Sequence, residues 1–304
     1  MVKNLVRKRK RPIAETKGDR AFHFFNYAFM LFLAFIIIYP LWFIVIASVS
    51  SPDAVLNGEV WLLPDVVDFG GYQRIFDEPK IWTGYRNTIL YTTVGTSLNI
   101  LLTIPAGYAI SRPTLPYRKT IMWFFIVTLF FNGGLVPFYL LVSELELINT
   151  FWALILPRAV SVWNVFLTKA YYESNISTEL IEAAEIDGAS QFRTFMQVIL
   201  PLSKPIVAVM ILFYAVGHWN AYFDALIFIR SENLYPLQLV LRDILVVGDM
   251  QTGGIGDAQA IYERLRLANQ IKYGVIIVSS LPIILFYPFV QKFFKQGFLV
   301  GSFK

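Results

Sequence analysis

A chain of 304 residues that is 56% hydrophobic and 15% charged, with a mean hydropathy of +0.56, is too apolar for an ordinary soluble domain. Its net charge of +5 does not point to nucleic acid, because the basic residues stand at the ends of apolar runs and do not alternate with aromatics on a soluble face. The absence of cysteine excludes disulfides and thiolate chemistry, and two histidines without cysteine argue against a tetrahedral metal site.

The chain opens with Lys3, Arg7, Lys8, Arg9, Lys10, Arg11, Lys17 and Arg20, followed by an apolar run over residues 22–50. A secretory signal peptide also turns from basic to apolar, but its core is only about 7–15 residues long. The run here is longer and reads as a retained membrane span, which Pro40 need not break. Residues 51–86 are polar and lean acidic, with Asp53, Glu59, Asp65, Asp68, Asp77 and Glu78 against Arg74, Lys80 and Arg86. A second span covers 87–110, interrupted at Pro105; Arg112, Arg118 and Lys119 then make a short basic turn. The third span, 120–142, contains Asn132-Gly133-Gly134 and Pro137, which predict an unwinding or a bend. Glu144 and Glu146 lie in the next loop, and the fourth span runs from 151 to about 171.

Between the fourth and fifth spans the chain turns polar, and residues 182–205 read EAAEIDGASQFRTFMQVILPLSKP. Ser177 and Thr178 are placed to accept backbone N–H bonds at a helix start, with Glu179 and Glu182 adding negative charge to the first turn. Ala183 and Ala184 favour helix and leave little bulk, and Gly188 suits the left-handed residue that ends it. Ser190 is placed to cap a second helix running to about Ile199, where Leu200-Pro201 is expected to stop it. Pro205 fits the first turn of the next span. Two short amphipathic helices held at a fixed angle outside the membrane have the shape of a docking element.

The fifth span, from about 204 to 229, carries a polar cluster, Gly217-His218-Trp219-Asn220-Ala221-Tyr222-Phe223-Asp224, near the bilayer midplane. Polar groups at that depth are costly and default to a functional reading. Continued as a helix, His218/Tyr222 and Asn220/Asp224 would pair four residues apart on two neighbouring stripes. Aromatic faces beside amide and carboxylate groups suit a sugar; the same side chains also serve as hydrogen-bonding glue to another helix. Arg158, just past Pro157, has two readings as well: a contact for an acidic sugar, or a pair with Asp224 or an acid on a partner. The pair is the preferred one, since a buried Arg is usually paired.

Residues 230–270 read as a long polar loop with a glycine-rich piece at 248–256. A sixth span at 272 to about 290 precedes Lys292, Lys295 and Lys304. Six spans put both ends, the 112–119 turn and the 182–205 stretch on one side, and the excess of Lys and Arg makes that side cytoplasmic. No G-x-x-x-x-G-K-[ST], H-E-x-x-H or G-x-S-x-G string occurs, so the expectation is a chain that is not an enzyme and draws its energy from another protein.

Glu182-Ala183-Ala184, Asp187-Gly188-Ala189 and Ile199-Leu200-Pro201 together resemble the EAA loop of the membrane subunits of bacterial binding-protein-dependent ABC importers. The resemblance extends from about residue 87 to the C-terminus and is closest to the carbohydrate-uptake branch, MalG-like and LplC/YtcP-like. It implies an all-α membrane protein with six transmembrane helices, the type I importer permease fold and cytoplasmic EAA coupling helices. The implied layout is a basic tail at 1–21 and a permease domain at 22–304, whose core is about 87–295 with the coupling loop at 177–205. By the same resemblance Glu182 pairs with a basic residue of an ATPase subunit, Ala183, Ala184 and Gly188 permit close approach, and Phe192 and Phe195 are apolar anchors. Asp187, Ala189, Leu200 and Pro201 complete the motif.

His218, Trp219, Asn220, Tyr222, Asp224 and Arg158 become candidates for the translocation path. Residues 235–242 and the tail at 297–304 resemble segments of sugar permeases, where such a tail reaches towards the ATPase interface, although the final glycine expected after the last Lys is absent here. The implied partners are a homologous permease, two ATP-binding cassette subunits, an extracytoplasmic solute-binding protein, an oligosaccharide and the bilayer of a bacterial cytoplasmic membrane. ATP and magnesium would be bound by the cassette subunits and no cofactor by this chain. The alternatives are an ABC permease for a non-sugar solute, an ion-driven secondary carrier, which would need inverted repeats and paired intramembrane acids, and a non-transporting scaffold.

Overall fold

The computed structural model describes residues 16–251 and 266–288, apart from 267, 270 and 287; within them the chain is helical, with one isolated bridge between Ser50 and Val67. The basic residues 3–11, the glycine-rich residues 252–256, Lys292, Lys295 and the 297–304 tail lie outside the described residues.

Helix α1 (Lys17–Ser48) starts at a reciprocal cap: the Asp19 N–H donates to the Thr16 hydroxyl at 3.2 Å and the Thr16 N–H to the Asp19 carboxylate at 2.9 Å. Pro40 sits inside it without ending it. Its buried residues are Ile46, Ala47 and Ser48; Phe25, Ile37 and Ile38 are exposed. Two short helices, α2 (Pro52–Leu56) and α3 (Gly70–Asp77), fill the acidic stretch. Helix α4 (Pro79–Ser111) then starts at 79 and not at 87, and carries Pro105 internally.

Much of the remaining bundle packs on α4. Gly84, Thr88, Gly95, Asn99, Thr103 and Gly107 recur along one of its faces. Helices in a membrane gain little from expelling water, so close van der Waals contact and hydrogen bonds hold them together. A Cβ on Gly95 would lie 2.5 Å from His218 Nε2, and one on Gly107 would lie 2.6 Å from Thr168.

The expected third span is two helices, α5 (Arg118–Phe130) and α6 (Leu135–Glu144), meeting at 115°. The expected break falls between them, where the Gly134 N–H donates to Asn132 Oδ1 at 3.0 Å. The fourth begins as two 3-10 turns, Phe151–Leu154 and Leu156–Arg158, and bends by 48° into α7 (Val162–Asn175). Next come α8 (Thr178–Ile186), α9 (Gln191–Thr194), a π turn (Phe195–Ile199) and α10 (Leu200–Leu202). The Gln191–Leu202 run meets α11 (Lys204–Trp219) at 78°. Then follow α12 (Phe223–Phe228), α13 (Leu237–Gln251) and the apolar α14 (Ile271–Phe286).

Two expectations change here. Leu200-Pro201 does not stop the helix; the turn runs through Pro201, which needs no N–H partner at that position, and the bend falls at the buried Ser203. Residues 230–270 are not simply a loop: α13 packs on α4, burying Leu237, Val240 and Leu241 with Trp219 and Val275.

By length and composition α1 and α4 are each able to cross a bilayer, and the three bent pairs meet the same test as broken spans. The packed side chains form one core of Tyr91, Val142, Ile155, Phe228 and Leu239 and a second, beside α8 to α10, of Ile104, Tyr172, Ile199, Met210 and Tyr214. A polar layer separates them.

Candidate functional site

The end of the molecule that carries α8 to α10 presents an elbow. Helix α8 begins after Ser177, whose backbone is extended but whose hydroxyl does not cap the helix. Glu179 is the acceptor there instead: its own backbone N–H and then the Ser177 hydroxyl hold its carboxyl below the ordinary value. Gly188 ends α8 with φ of +77°, a conformation a side chain would strain. The Ser190 hydroxyl accepts the Arg193 N–H at 3.3 Å and so caps α9 as the sequence requires. Gln191 Nε2 donates to Glu185 Oε1 at 2.7 Å across the corner.

Most of the motif faces outward, with Glu182, Ala183, Asp187, Gly188 and Pro201 exposed, and Ile186 and Phe192 87% and 74% exposed. Three residues depart from the expected roles. Ala184 is buried within the chain, Phe195 packs on Tyr108 at a ring separation of 5.1 Å, and Leu200 packs against the core of Ile104, Tyr172 and Met210. One turn of π helix shifts the register at Phe195, so the outward apolar set becomes Ile186, Phe192 and Met196.

At the other end of α11 the polar layer lines a cavity of about 570 Å³. Arg158, His218, Asn220, Tyr222 and Asp224 all border it, with Phe213, Tyr214 and Phe223 as aromatic walls. The helical pairing expected for this cluster does not occur. Helix α11 ends at Trp219, residues 220–222 leave the helix, and α12 restarts at Phe223. The Asn220 side chain donates to the Val216 carbonyl at 2.9 Å, a local bond that competes with continuing the helix. Trp219 is separated from the others: it is buried, donates to the Ser279 carbonyl at 3.1 Å, and lies beside Tyr85.

Arg158 and Asp224 form a two-point ion pair, Nη2 to Oδ1 at 2.8 Å and Nε to Oδ2. The guanidinium side is 64% exposed and the carboxylate side 13%, so the acid is seated in the wall and the base reaches into the cavity.

One residue that holds this layer together was not singled out from the sequence. Asn99 is fully buried on α4, and its Nδ2 donates to the carbonyls of Arg158 at 2.9 Å and Ala159 at 2.7 Å. Those carbonyls lie at the break between the 3-10 turns and α7, where the helix cannot satisfy them. With both amide hydrogens used, Asn99 Oδ1 is left as the acceptor at 2.7 Å from His218 Nε2, which fixes that nitrogen as the protonated one. Below it, Thr103 Oγ1 and the Tyr214 hydroxyl share a hydrogen bond at 2.6 Å, and the Ser161 N–H donates to Tyr214 at 3.2 Å. The available signal was the recurrence of small and polar residues from Gly84 to Gly107 inside an apolar run.

A helical membrane fold with broken spans around a polar cavity, and an exposed elbow leading into the same helix, defines a protein of the permease class. The family model described as binding-protein-dependent transport system inner membrane component matches residues 79–243, and the chain belongs to that family. Among its relatives is the polygalacturonan/rhamnogalacturonan transport system permease protein YtcP of Bacillus subtilis (strain 168), 34% identical over 94% of this chain and 99% of YtcP. Protein LplC of the same strain is 34% identical over 95% of this chain and 97% of LplC. Among solved structures, a chain of a bacterial ABC transporter involved in the import of the acidic polysaccharide alginate superposes with a TM-score of 0.83, at 32% identity over 93% of this chain and 99% of that one.

Proposed function

We propose that the chain is the permease subunit of an ATP-driven, binding-protein-dependent importer that carries an oligosaccharide into the cell by alternating access. The reading gives it six spans, with the third, fourth and fifth broken, and both termini in the cytoplasm. A homologous permease would complete the path, two cassette subunits would hold ATP and magnesium, and an external solute-binding protein would deliver the sugar. The observation that carries the reading is that one helix, α11, joins the exposed elbow at its start to the polar cavity at its end. Its 16 residues make a rigid rod of about 24 Å. Force applied to the elbow by closing ATPases would turn that rod and open the cavity to one side or the other. Glu182 is the residue proposed to meet a basic group of the ATPase. In the assembled transporter, Glu182→Ala is expected to lower sugar-stimulated ATP hydrolysis at least tenfold while the complex stays folded; unchanged stimulation would remove the role.

The cargo is proposed to carry carboxylates. Asp224 occupies Nε and one hydrogen of Nη2, so three of the five N–H donors of Arg158 remain for a uronate. The names of YtcP and of the alginate transporter, both handling acidic polysaccharides, favour the same cargo. Arg158→Gln should then depress uptake of a uronate oligosaccharide well below that of its carboxyl-reduced counterpart. Equal uptake of the two would confine Arg158 to its pair with Asp224.

A further inference from the structure

The Asn99 side chain that holds the Arg158 carbonyl also sets the ring of His218. His218 Nε2–H donates to Asn99 Oδ1 at 2.7 Å, and a neutral imidazole bonded in this way keeps its lone pair on Nδ1 as an acceptor. The ring is seated against α4: a Cβ on Gly95 would lie 2.5, 2.6 and 2.9 Å from Nε2, Cε1 and Cδ2. That edge is closed to any ligand, and only a glycine on α4 lets the ring come so near.

Nδ1 lies on the other side of the ring. Among the described residues it has no hydrogen-bond partner, yet it is not sealed off as the unpartnered Thr96 hydroxyl is. His218 is itself buried, and the space it borders is the cavity of about 570 Å³, so Nδ1 opens there. The residues bounding that cavity come from α11, α12, the Leu156–Arg158 turn and the start of α7, all within this chain. Arg158 stands on the same wall and is tied through its carbonyl to the same Asn99.

We propose that His218 Nδ1 accepts a hydrogen bond from a sugar hydroxyl, so that the cavity reads hydroxyl groups as well as charge. The proposal rests on the cavity being the path of the sugar. Arg158 offers only donors and Nδ1 only an acceptor, so together they match two different groups of one oligosaccharide, a carboxylate and a neutral O–H. Phe213 and Phe223 give aromatic walls for the C–H faces between them. A cargo without the hydroxyl leaves a buried acceptor unpaired, and a site built for an O–H discriminates strongly against its absence.

Two measurements decide it in the full transporter, trapped with ADP and vanadate beside its loaded solute-binding protein. Radiolabelled tetragalacturonate and its carboxyl-reduced counterpart first report whether sugar is held. In protein labelled with nitrogen-15 histidine, the His218 signals are assigned by their loss in His218→Gln. Nδ1 should be unprotonated in the sugar-free complex and move several ppm to lower frequency with either retained sugar. The second measurement compares kcat/KM of uptake for tetragalacturonates methylated at O2 or at O3. One of the two should cost roughly tenfold more in the parent than in His218→Leu, a comparison in which losses at the solute-binding protein cancel. A protonated Nδ1 overturns the proposal, as does an Nδ1 already hydrogen-bonded without sugar, which a donor from a second permease would produce. Retained sugar that leaves the Nδ1 shift unchanged overturns it too, and so do equal methylation losses in parent and variant. If no sugar is retained, the path reading falls and takes this one with it; if only the carboxyl-reduced sugar is retained and shifts Nδ1, the acidic-cargo reading alone falls. Should His218→Leu fail to assemble, the nitrogen-15 measurement decides.

Discussion

The elbow and the polar layer stand at opposite ends of α11 and are built on opposite principles. The elbow is exposed, held by short-range caps, and offers Glu182, Ile186 and Phe192 outward. The polar layer is buried and held by bonds that reach between distant parts of the chain, Asn99 to Arg158 and His218 above all. A surface proposed to meet a partner can be changed without cost to the fold. A layer proposed to open and close around a sugar has its stability and its function in the same side chains.

That contrast is testable by substitution. Asn99→Leu is expected to act most strongly, because it strands two backbone carbonyls and the His218 N–H; the loss is about 2–4 kcal/mol, read as a lowered Tm of the purified complex. Gly95→Ala comes next, since the new Cβ meets the His218 ring at 2.5 Å; a loss of about 1–3 kcal/mol with weakened sugar-stimulated hydrolysis is expected. Phe192→Ala should leave stability within about 0.5 kcal/mol of the parent, as exposed sites do, yet reduce retention of the ATPase on co-purification. If the elbow substitution unfolded the protein and Asn99→Leu did not, the contrast would be reversed.

The smallest effect concerns Glu179. Its carboxyl is held low by hydrogen bonds that only the charged form accepts, so its contribution exists above the unfolded carboxylate range and disappears as pH falls through its lowered value. The protection factor at the first turn of α8, with the intrinsic pH dependence of exchange divided out, should therefore fall under acid in the parent and stay flat with pH in Glu179→Gln.

The sequence made the elbow readable because its signals are contiguous: Gly188, Ser190 and Pro205 each act on their own neighbours. What it hid there was the π turn, which reassigns Phe195 from the outer to the inner face with no local breaker residue to announce it. In the cavity, His218, Asn220, Tyr222 and Asp224 were visible as a polar cluster, but their geometry was not. No proline or glycine marks the break at 220–222; the only hint is Asn220, a residue prone to bond its own backbone. Asn99 was harder still, because its meaning depends on unsatisfied carbonyls about 60 residues away. Helix α13 was passed over for its charges, although Leu237, Val240, Leu241 and Ile244 already spell a helical face.

The account depends on the elbow lying in the cytoplasm, where a motor subunit can hold it. Ile186, 87% exposed and without a structural bond to lose, is the place to ask. With Ile186→Cys in this cysteine-free chain, a membrane-impermeant maleimide should label cells only after they are permeabilised, and less when the ATPase subunits are bound. Full labelling of intact cells would put the elbow outside and contradict the account.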